Sequence, residues 1–187
     1  MNILFIDAAA RPASRTKILA DYLLSKIKGN VETIDLNDQK LIPFDGAMLA
    51  KRNAFIAQQD YSDKMFDNAK KFISADVIVI CAPYWDFSFP AMLKTFIEHI
   101  NVGGLVFKYG AQGNIISLCK AKTLYYVTTM GGHNPTDFGF GYIKALAGTL
   151  YGIKDVHLIK AEGLDIIGSD VEAILAKAKA DIDKLNI

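Results

Sequence analysis

Residues 76–82 read Asp-Val-Ile-Val-Ile-Cys-Ala, and this stretch decides the fold. An apolar run without alternation is typical of a strand that is covered on both faces. Four further segments have strand character: Ile3–Ile6, Val31–Leu36, Thr123–Thr129 and Lys154–Ala161. Segments with apolar residues at helical spacing separate these strands. Five strands that alternate with helices predict a parallel sheet with right-handed crossovers.

The connecting segments divide into helices and irregular stretches. We expect five helices: one that follows Ser14 and stops at Gly29, one from about Ser62 to Ser74, one that begins near Pro90, one over Tyr142–Leu150, and a last one that opens with a capping box of Ser169 and Glu172. The stretch from Asn37 to about Gln59 is predicted to be irregular, and Gly103–Cys119 to be a long loop.

Composition limits what this chain can be. At 187 residues it fits one domain, which we expect to span residues 1–187. Lys and Arg number 21 against 20 acidic residues, and this balance argues against a nucleic-acid binder. Cys81 and Cys119 have no metal-binding spacing, so no metal site is expected. No apolar stretch approaches the ~18 residues of a membrane span, so we expect no membrane insertion and a cytoplasmic location.

In a wound parallel sheet, ligands bind beyond the carboxyl ends of the strands, where strand order reverses. This rule selects the loops after the first, third and fourth strands. The first loop, Arg11–Thr16, leads into a helix whose N-terminus favours an anion. Ser14 and Thr16 offer hydroxyls, and Arg15 or Arg11 offers charge, so this loop suits a phosphate. A plain helix cap flanked by two solvated arginines is an equal alternative.

The second loop, residues 82–90, carries four aromatic residues from the end of a buried strand. Such a wall suits a planar ring system. We assign Tyr84, Trp85 and Asp86 to a binding site, whereas Phe87 and Phe89 suit packing in the core or at a subunit interface.

The third loop, residues 128–135, contains Gly131-Gly132, and paired glycines let a backbone approach a flat ligand closely. His133 could stabilise negative charge that develops on a bound ligand. A lone loop histidine is more often simply exposed to solvent.

Together these loops resemble those of the flavodoxin-like NAD(P)H:quinone oxidoreductases, and most of all those of the bacterial FMN-dependent NADH azoreductases. The resemblance spans nearly the whole chain. It is densest in residues 76–87, in Gly131-Gly132 with Pro135-Thr136-Asp137, and in residues 152–156 followed by 161–163.

The resemblance implies a flavodoxin-like three-layer α/β sandwich with strand order 2-1-3-4-5. It implies an enzyme that binds FMN, takes hydride from NADH or NADPH, and reduces quinone or azo acceptors by a ping-pong mechanism. It also implies a homodimer with its active sites at the subunit interface. The residues expected to contact FMN are Ala9, Ser14, Arg15, Thr16, Pro83, Tyr84, Trp85, Asp86, Phe87, Thr129, Met130, Gly131 and Gly132, with His133 as a candidate catalytic residue.

Three positions depart from the family pattern. Ala8-Ala9 lacks a serine, Asp86 replaces an asparagine, and Met130 replaces a residue that is often polar. If the Asp86 carboxylate faced the flavin, its negative charge would disfavour the anionic reduced flavin and so lower the reduction potential of the flavin. A flavodoxin-type electron carrier, or a regulatory module that has lost the flavin, are the alternatives. Electron carriers of that type tend to be acidic, which a net charge of +1 does not match.

Overall fold

The computed structural model describes residues 1–133, 136 and 138–187. The strands are β1 (Asn2–Asp7), β2 (Asn30–Asp35), β3 (Val77–Cys81), β4 (Phe107–Tyr109), β5 (Ile115–Ser117), β6 (Thr123–Thr129) and β7 (Asp155–Ala161). The helices are α1 (Arg15–Lys26), α2 (Leu36–Gln39), α3 (Gly46–Ala57), α4 (Asp67–Ser74), α5 (Ala91–Ile100), α6 (Phe140–Thr149) and α7 (Val171–Ile182), and a 3-10 turn at Lys64–Phe66 precedes α4.

The main sheet has five parallel strands in the order β2-β1-β3-β6-β7, which confirms the predicted parallel sheet. Its numbering differs from the predicted 2-1-3-4-5 because β4 and β5 lie in the connection that was expected to be a loop. They pair with each other as a separate antiparallel hairpin. All five residues of β3 are buried, as the unalternating apolar run indicated.

Helices cover both faces of this sheet. On one face α1 and α7 pack over β1, β3 and β6, and their buried side chains include Leu19, Leu23 and Ile182. On the other face α4, α5 and α6 contribute Phe72, Phe96 and Ile143 to a second core. The buried side chains of β1, β3 and β6 alternate between the two cores, which fixes the register of these central strands.

Two further local predictions were wrong. The stretch 37–59 is not irregular, because it contains α2 and α3. The sequence of α3 has no strong apolar stripe, and accordingly none of its residues is buried. Asp45 is its N-cap and accepts a hydrogen bond from the Met48 N–H (2.7 Å). The capping box is also wrong, because Asp170 rather than Ser169 caps α7 and accepts from the Ala173 N–H (2.9 Å).

Two features are absent from the described residues. No helix among them is long and apolar enough to cross a membrane. They also contain no group of three or more His, Cys, Asp or Glu side chains arranged to hold a metal ion.

Candidate functional site

The carboxyl edge of the sheet splits between β1 and β3, where strand order reverses. The Ala8 N–H still donates to the Cys81 carbonyl (2.8 Å), but the chain then turns away toward α1. After β3 the chain instead follows β6, since the N–H of Tyr84 donates to the carbonyl of Thr129 (3.0 Å). A cleft opens between these two paths. It is lined by Ala10, Arg11, Ala13, Ser14, Arg15, Thr16, Pro83, Tyr84, Trp85, Thr129, Met130, Gly131 and Asp165.

The two sides of this cleft differ in height. Asp7 and Val127 both lie level with Cys81, and β1 ends there, whereas β6 continues to Thr129, which pairs with Ala161. The two residues of β6 beyond Val127 extend that strand by ~6.6 Å, at the usual rise per residue of a β-strand. The β6–β7 half of the sheet therefore forms a wall above the floor at β1.

The loop between β1 and α1 is anchored from below by Asp7. This buried carboxylate accepts from the Ala9 N–H (2.9 Å) and pairs with the ammonium of Lys17 (2.6 Å). Burial alone would lower the pKa of Lys17, but the hydrogen bond and charge of Asp7 outweigh it and raise that pKa. Ala9 is itself buried, and its carbonyl accepts from Asn37 (3.1 Å), so Ala10 rather than Ala9 lines the cleft.

The first turn of α1 brings three of the predicted residues into the cleft. Ser14 is the N-cap, and its hydroxyl accepts from the backbone N–H of Lys17 (3.3 Å). Arg15 is not a solvated arginine, because its guanidinium donates to the carbonyl of Leu164 (2.9 Å) and to Asp165 (2.6 Å).

Thr16 is buried, and its hydroxyl lies 2.6 Å from that of Thr129. This bond ties the start of α1 to the carboxyl end of β6. The first and third loops are therefore held together by one side chain from the first turn of α1 and one from the end of β6, which lie 113 positions apart in the sequence.

The aromatic loop forms a tight two-residue turn. Trp85 and Ser88 exchange backbone hydrogen bonds (3.1 and 2.8 Å), and Asp86 and Phe87 between them have positive φ angles of 50° and 65°. The left-handed region costs a non-glycine residue roughly 1–2 kcal/mol, and such strain is characteristic of functional loops. Tyr84 and Trp85 line the cleft, whereas the exposed Asp86 and Phe87 form the tip of the turn and do not.

Phe89 packs beside this loop, as the sequence favoured. Its ring centroid lies 5.7 Å from that of Tyr142, against the core on the α5–α6 face.

The third loop is held by the segment that follows β7. Three bonds connect the two: Leu164 N–H to Met130 carbonyl (3.2 Å), Asp165 N–H to Gly131 carbonyl (2.9 Å) and Gly163 N–H to Gly132 carbonyl (2.9 Å). A methyl group on Gly131 would overlap the Asp165 carboxylate, which would have to move and so disturb its ion pair with Arg15. Gly132 has no such neighbour.

His133 is exposed and does not line the cleft. It lies beside Gly163, where an added methyl group would be 3.3 Å from its Cε1 atom. Asn134 and Pro135 of the predicted loop, and Asp137 beyond it, lie outside the described residues.

Asp165 is the charged residue of the cleft that sequence reasoning missed. It follows β7, whose carboxyl end lies at the same edge as those of β3 and β6. The rule that selected the other loops applies equally to this one, and Glu162-Gly163 directly after the strand was the available signal.

The chemistry of the cleft changes from one end to the other. At the α1 end are a helix N-terminus, two hydroxyls and a guanidinium, which suit a phosphate. At the other end are the Tyr84 and Trp85 side chains and the close-lying backbone of Gly131, which suit a flat ring. A phosphorylated planar ligand such as a flavin mononucleotide therefore fits the residues that are present.

Comparison with known proteins agrees with this geometry. A family model described as the flavodoxin-like fold matches residues 1–185. The chain belongs to the flavodoxin-like fold family. A protein of Clostridium acetobutylicum named FMN-dependent NADH:quinone oxidoreductase 2 is 34% identical over 187 residues, covering 93% of this chain and 92% of its own. A protein of Clostridium perfringens (strain SM101 / Type A) named FMN-dependent NADH:quinone oxidoreductase is 32% identical over 192 residues, covering 98% and 95%.

Solved structures of flavodoxin-like proteins have the same fold. An azoreductase from Bacillus anthracis str. Sterne superposes with a TM-score of 0.83 at 20% identity, covering 98% of this chain and 97% of its own. An FMN-dependent NADH-azoreductase from Bacillus anthracis str. Ames Ancestor, determined in complex with FMN, superposes with a TM-score of 0.80 at 21% identity, covering 97% and 95%.

Proposed function

We propose that this chain is an FMN-dependent NAD(P)H oxidoreductase that passes two electrons to quinone or azo acceptors by ping-pong hydride transfer. The proposal treats residues 1–187 as one FMN-binding domain that acts in the cytoplasm. The observation that supports it is the cleft, which has the N-terminus of α1 at one end and the Tyr84 and Trp85 side chains at the other. The names of relatives that align over nearly the whole chain support the same cofactor and reaction.

Each end of the cleft has a separate task in this proposal. Ser14, Arg15 and Thr16 would hold the phosphate at the N-terminus of α1. The backbone of residues 83–85 and 129–131 would border the ring, with the Tyr84 and Trp85 side chains excluding water from it. His133 would stabilise negative charge on the reduced ring, although it lies beside the cleft rather than in its lining.

When bound, FMN supplies the redox chemistry, since it accepts a hydride from the nicotinamide and passes two electrons to the acceptor. For a quinone the overall balance is NAD(P)H plus a proton plus quinone giving NAD(P)⁺ plus hydroquinone. The protein provides binding and orientation, so no nucleophilic side chain is required.

The first experiment tests the cofactor and the donor together. We expect the purified protein to bind FMN and to become colourless anaerobically when NADH or NADPH is added, and to regain its colour with a quinone. Stopped-flow traces with both nucleotides and a panel of quinones and azo dyes would rank the substrates. A protein that takes up no FMN would refute the proposal.

A matched pair of variants tests the phosphate end. Arg15→Gln should weaken FMN binding by roughly ten- to a hundredfold, because a charge-assisted hydrogen bond is typically worth ~1.5–3 kcal/mol. Lys28→Gln removes the same charge just beyond the other end of α1 and should leave FMN binding unchanged. Equal affinities for both variants would show that Arg15 does not contact the phosphate.

An electron carrier is the alternative, and steady-state kinetics distinguishes it. An enzyme oxidises NAD(P)H with a quinone on its own, whereas a carrier needs a separate reductase. The net charge of +1 favours the enzyme, since carriers tend to be acidic to dock on basic partners.

The proposed homodimer rests on the family resemblance and on exposed apolar side chains. Large hydrophobic side chains are exposed on the loops at this edge of the sheet: Trp85, Phe87, Phe138, Ile166 and Ile167. Exposed apolar patches are typical of protein–protein interfaces. Light scattering coupled to gel filtration should give twice the 20.5 kDa chain mass, and Phe87→Ser with Ile167→Ser should shift it toward the monomer.

A further inference from the structure

The cleft contains a negative charge at the end where a phosphate would bind. The Asp165 carboxylate lines the cleft and accepts from the Arg15 guanidinium (2.6 Å). Its backbone is fixed in place, because the Asp165 N–H donates to the Gly131 carbonyl (2.9 Å). Its carboxylate also lies directly against Gly131. An incoming phosphate therefore meets a neutral ion pair rather than a lone cation.

Asp165 has two opposed effects on an anion at this position. It orients Arg15, which favours binding, and it offsets the charge of Arg15, which disfavours binding. Arg15 has a second anchor, the carbonyl of Leu164 at 2.9 Å, which remains when the carboxylate is removed. Most of the orientation would thus survive the loss of Asp165, whereas its negative charge would disappear entirely. We therefore expect the loss of negative charge to outweigh the loss of orientation, so that an anion binds more tightly without Asp165.

We propose that Asp165 is an internal counter-anion that lowers the affinity of the cleft for the phosphate group of its flavin. This inference rests on the proposed function and refines it. Asp165 competes with the phosphate for Arg15, so it reduces the preference for a phosphorylated flavin over riboflavin. It thereby sets how readily the cofactor exchanges.

The test is the binding of FMN and riboflavin to the isosteric variant Asp165→Asn, followed by quenching of flavin fluorescence. At low ionic strength FMN should bind roughly two- to fivefold more tightly than to the wild type, the size expected for a pair exposed to solvent. Riboflavin, which lacks the phosphate, should bind with its wild-type affinity. At about 1 M salt the FMN difference should shrink, because the Debye length falls to ~3 Å.

Glu162→Gln is the matched control. Glu162 lies three residues away in the same segment and carries the same charge, but it pairs with Lys160 (3.1 Å) and does not line the cleft. It should change neither affinity. Asp165→Ala provides a second variant should the asparagine protein fail to fold, and it should also bind FMN more tightly than the wild type.

Three results would overturn the inference: FMN binding that is unchanged or weaker in both Asp165 variants, equal tightening for riboflavin, or equal tightening by Glu162→Gln. A wild-type protein that binds FMN while the variants show one of these results would leave the proposed function intact. A wild-type protein that binds no FMN would refute both.

Discussion

The Thr16 hydroxyl has two possible roles: it ties the first and third loops together through Thr129, and it could donate to the phosphate of FMN. Substitutions at Thr16 and Thr129 separate these roles. Thr129→Val removes one hydroxyl and leaves the buried Thr16 hydroxyl without this partner. A buried polar group that loses its partner costs about 1–3 kcal/mol, so this variant should lose that much unfolding free energy. Thr16→Val should lose a similar amount. The double valine variant buries two apolar groups of the same shape and should lose less than the sum of the two.

Urea unfolding followed by far-UV circular dichroism measures this coupling. The fluorescence of Trp85, the only tryptophan, is unsuitable because it reports on the turn beside the cleft. We expect the double-mutant cycle to give a coupling of at least ~1 kcal/mol. Additive losses would mean that the two hydroxyls do not interact, and the tie between the first and third loops would be refuted.

The same three variants measure the contribution of Thr16 to cofactor binding. If its hydroxyl only ties the loops together, Thr16→Val and Thr129→Val should weaken FMN binding equally. If it also donates to the phosphate, as the sequence predicts, Thr16→Val should weaken binding more.

Three further outcomes follow from single contacts. Gly131→Ala should lose about 1–3 kcal/mol of unfolding free energy, because its methyl group overlaps Asp165, whereas Gly132→Ala should stay within ~0.5 kcal/mol in the same urea titration. Burial raises the pKa of the Cys119 thiol to about 11, so about one molecule in a thousand carries the thiolate at pH 8, and iodoacetamide should label it far faster in urea than in the native protein. Asp170→Ala should lose about 0.5–2 kcal/mol, measured by thermal unfolding, because it removes the N-cap of α7.

The sheet could be predicted because its central strands are buried on both faces and leave continuous apolar runs. The elements that were missed do not bury such runs. No residue of α3 is buried, so its side chains carry no strong helical stripe. The hairpin strands β4 and β5 are only partly buried, and each is three residues long. A strand of that length is too short for an alternation of apolar and polar residues to be recognised.

The three predicted loops could be located because each follows a strand that the sequence identified. The contacts within the site could not be predicted in the same way. Arg15 and Asp165 are 150 positions apart, and nothing near either residue indicates the other. The residues around Arg15 are compatible with a solvated arginine and with an arginine in an ion pair. Only the packing of α1 beside the segment between β7 and α7 decides between the two.

Pro83 contributes to the opening of the cleft. Alternate residues of a strand direct their N–H groups to opposite neighbours, and after β3 it is Ala82 and Tyr84 that donate to β6 (both 3.0 Å). Position 83 would direct its N–H to the β1 side, but a proline has no N–H to donate. The hydrogen bond that would continue the ladder toward β1 is therefore missing, while pairing with β6 continues. The chain after β1 turns away toward α1 at this level, and the loss of this bond favours the separation of the two paths that leaves space for a flat ligand.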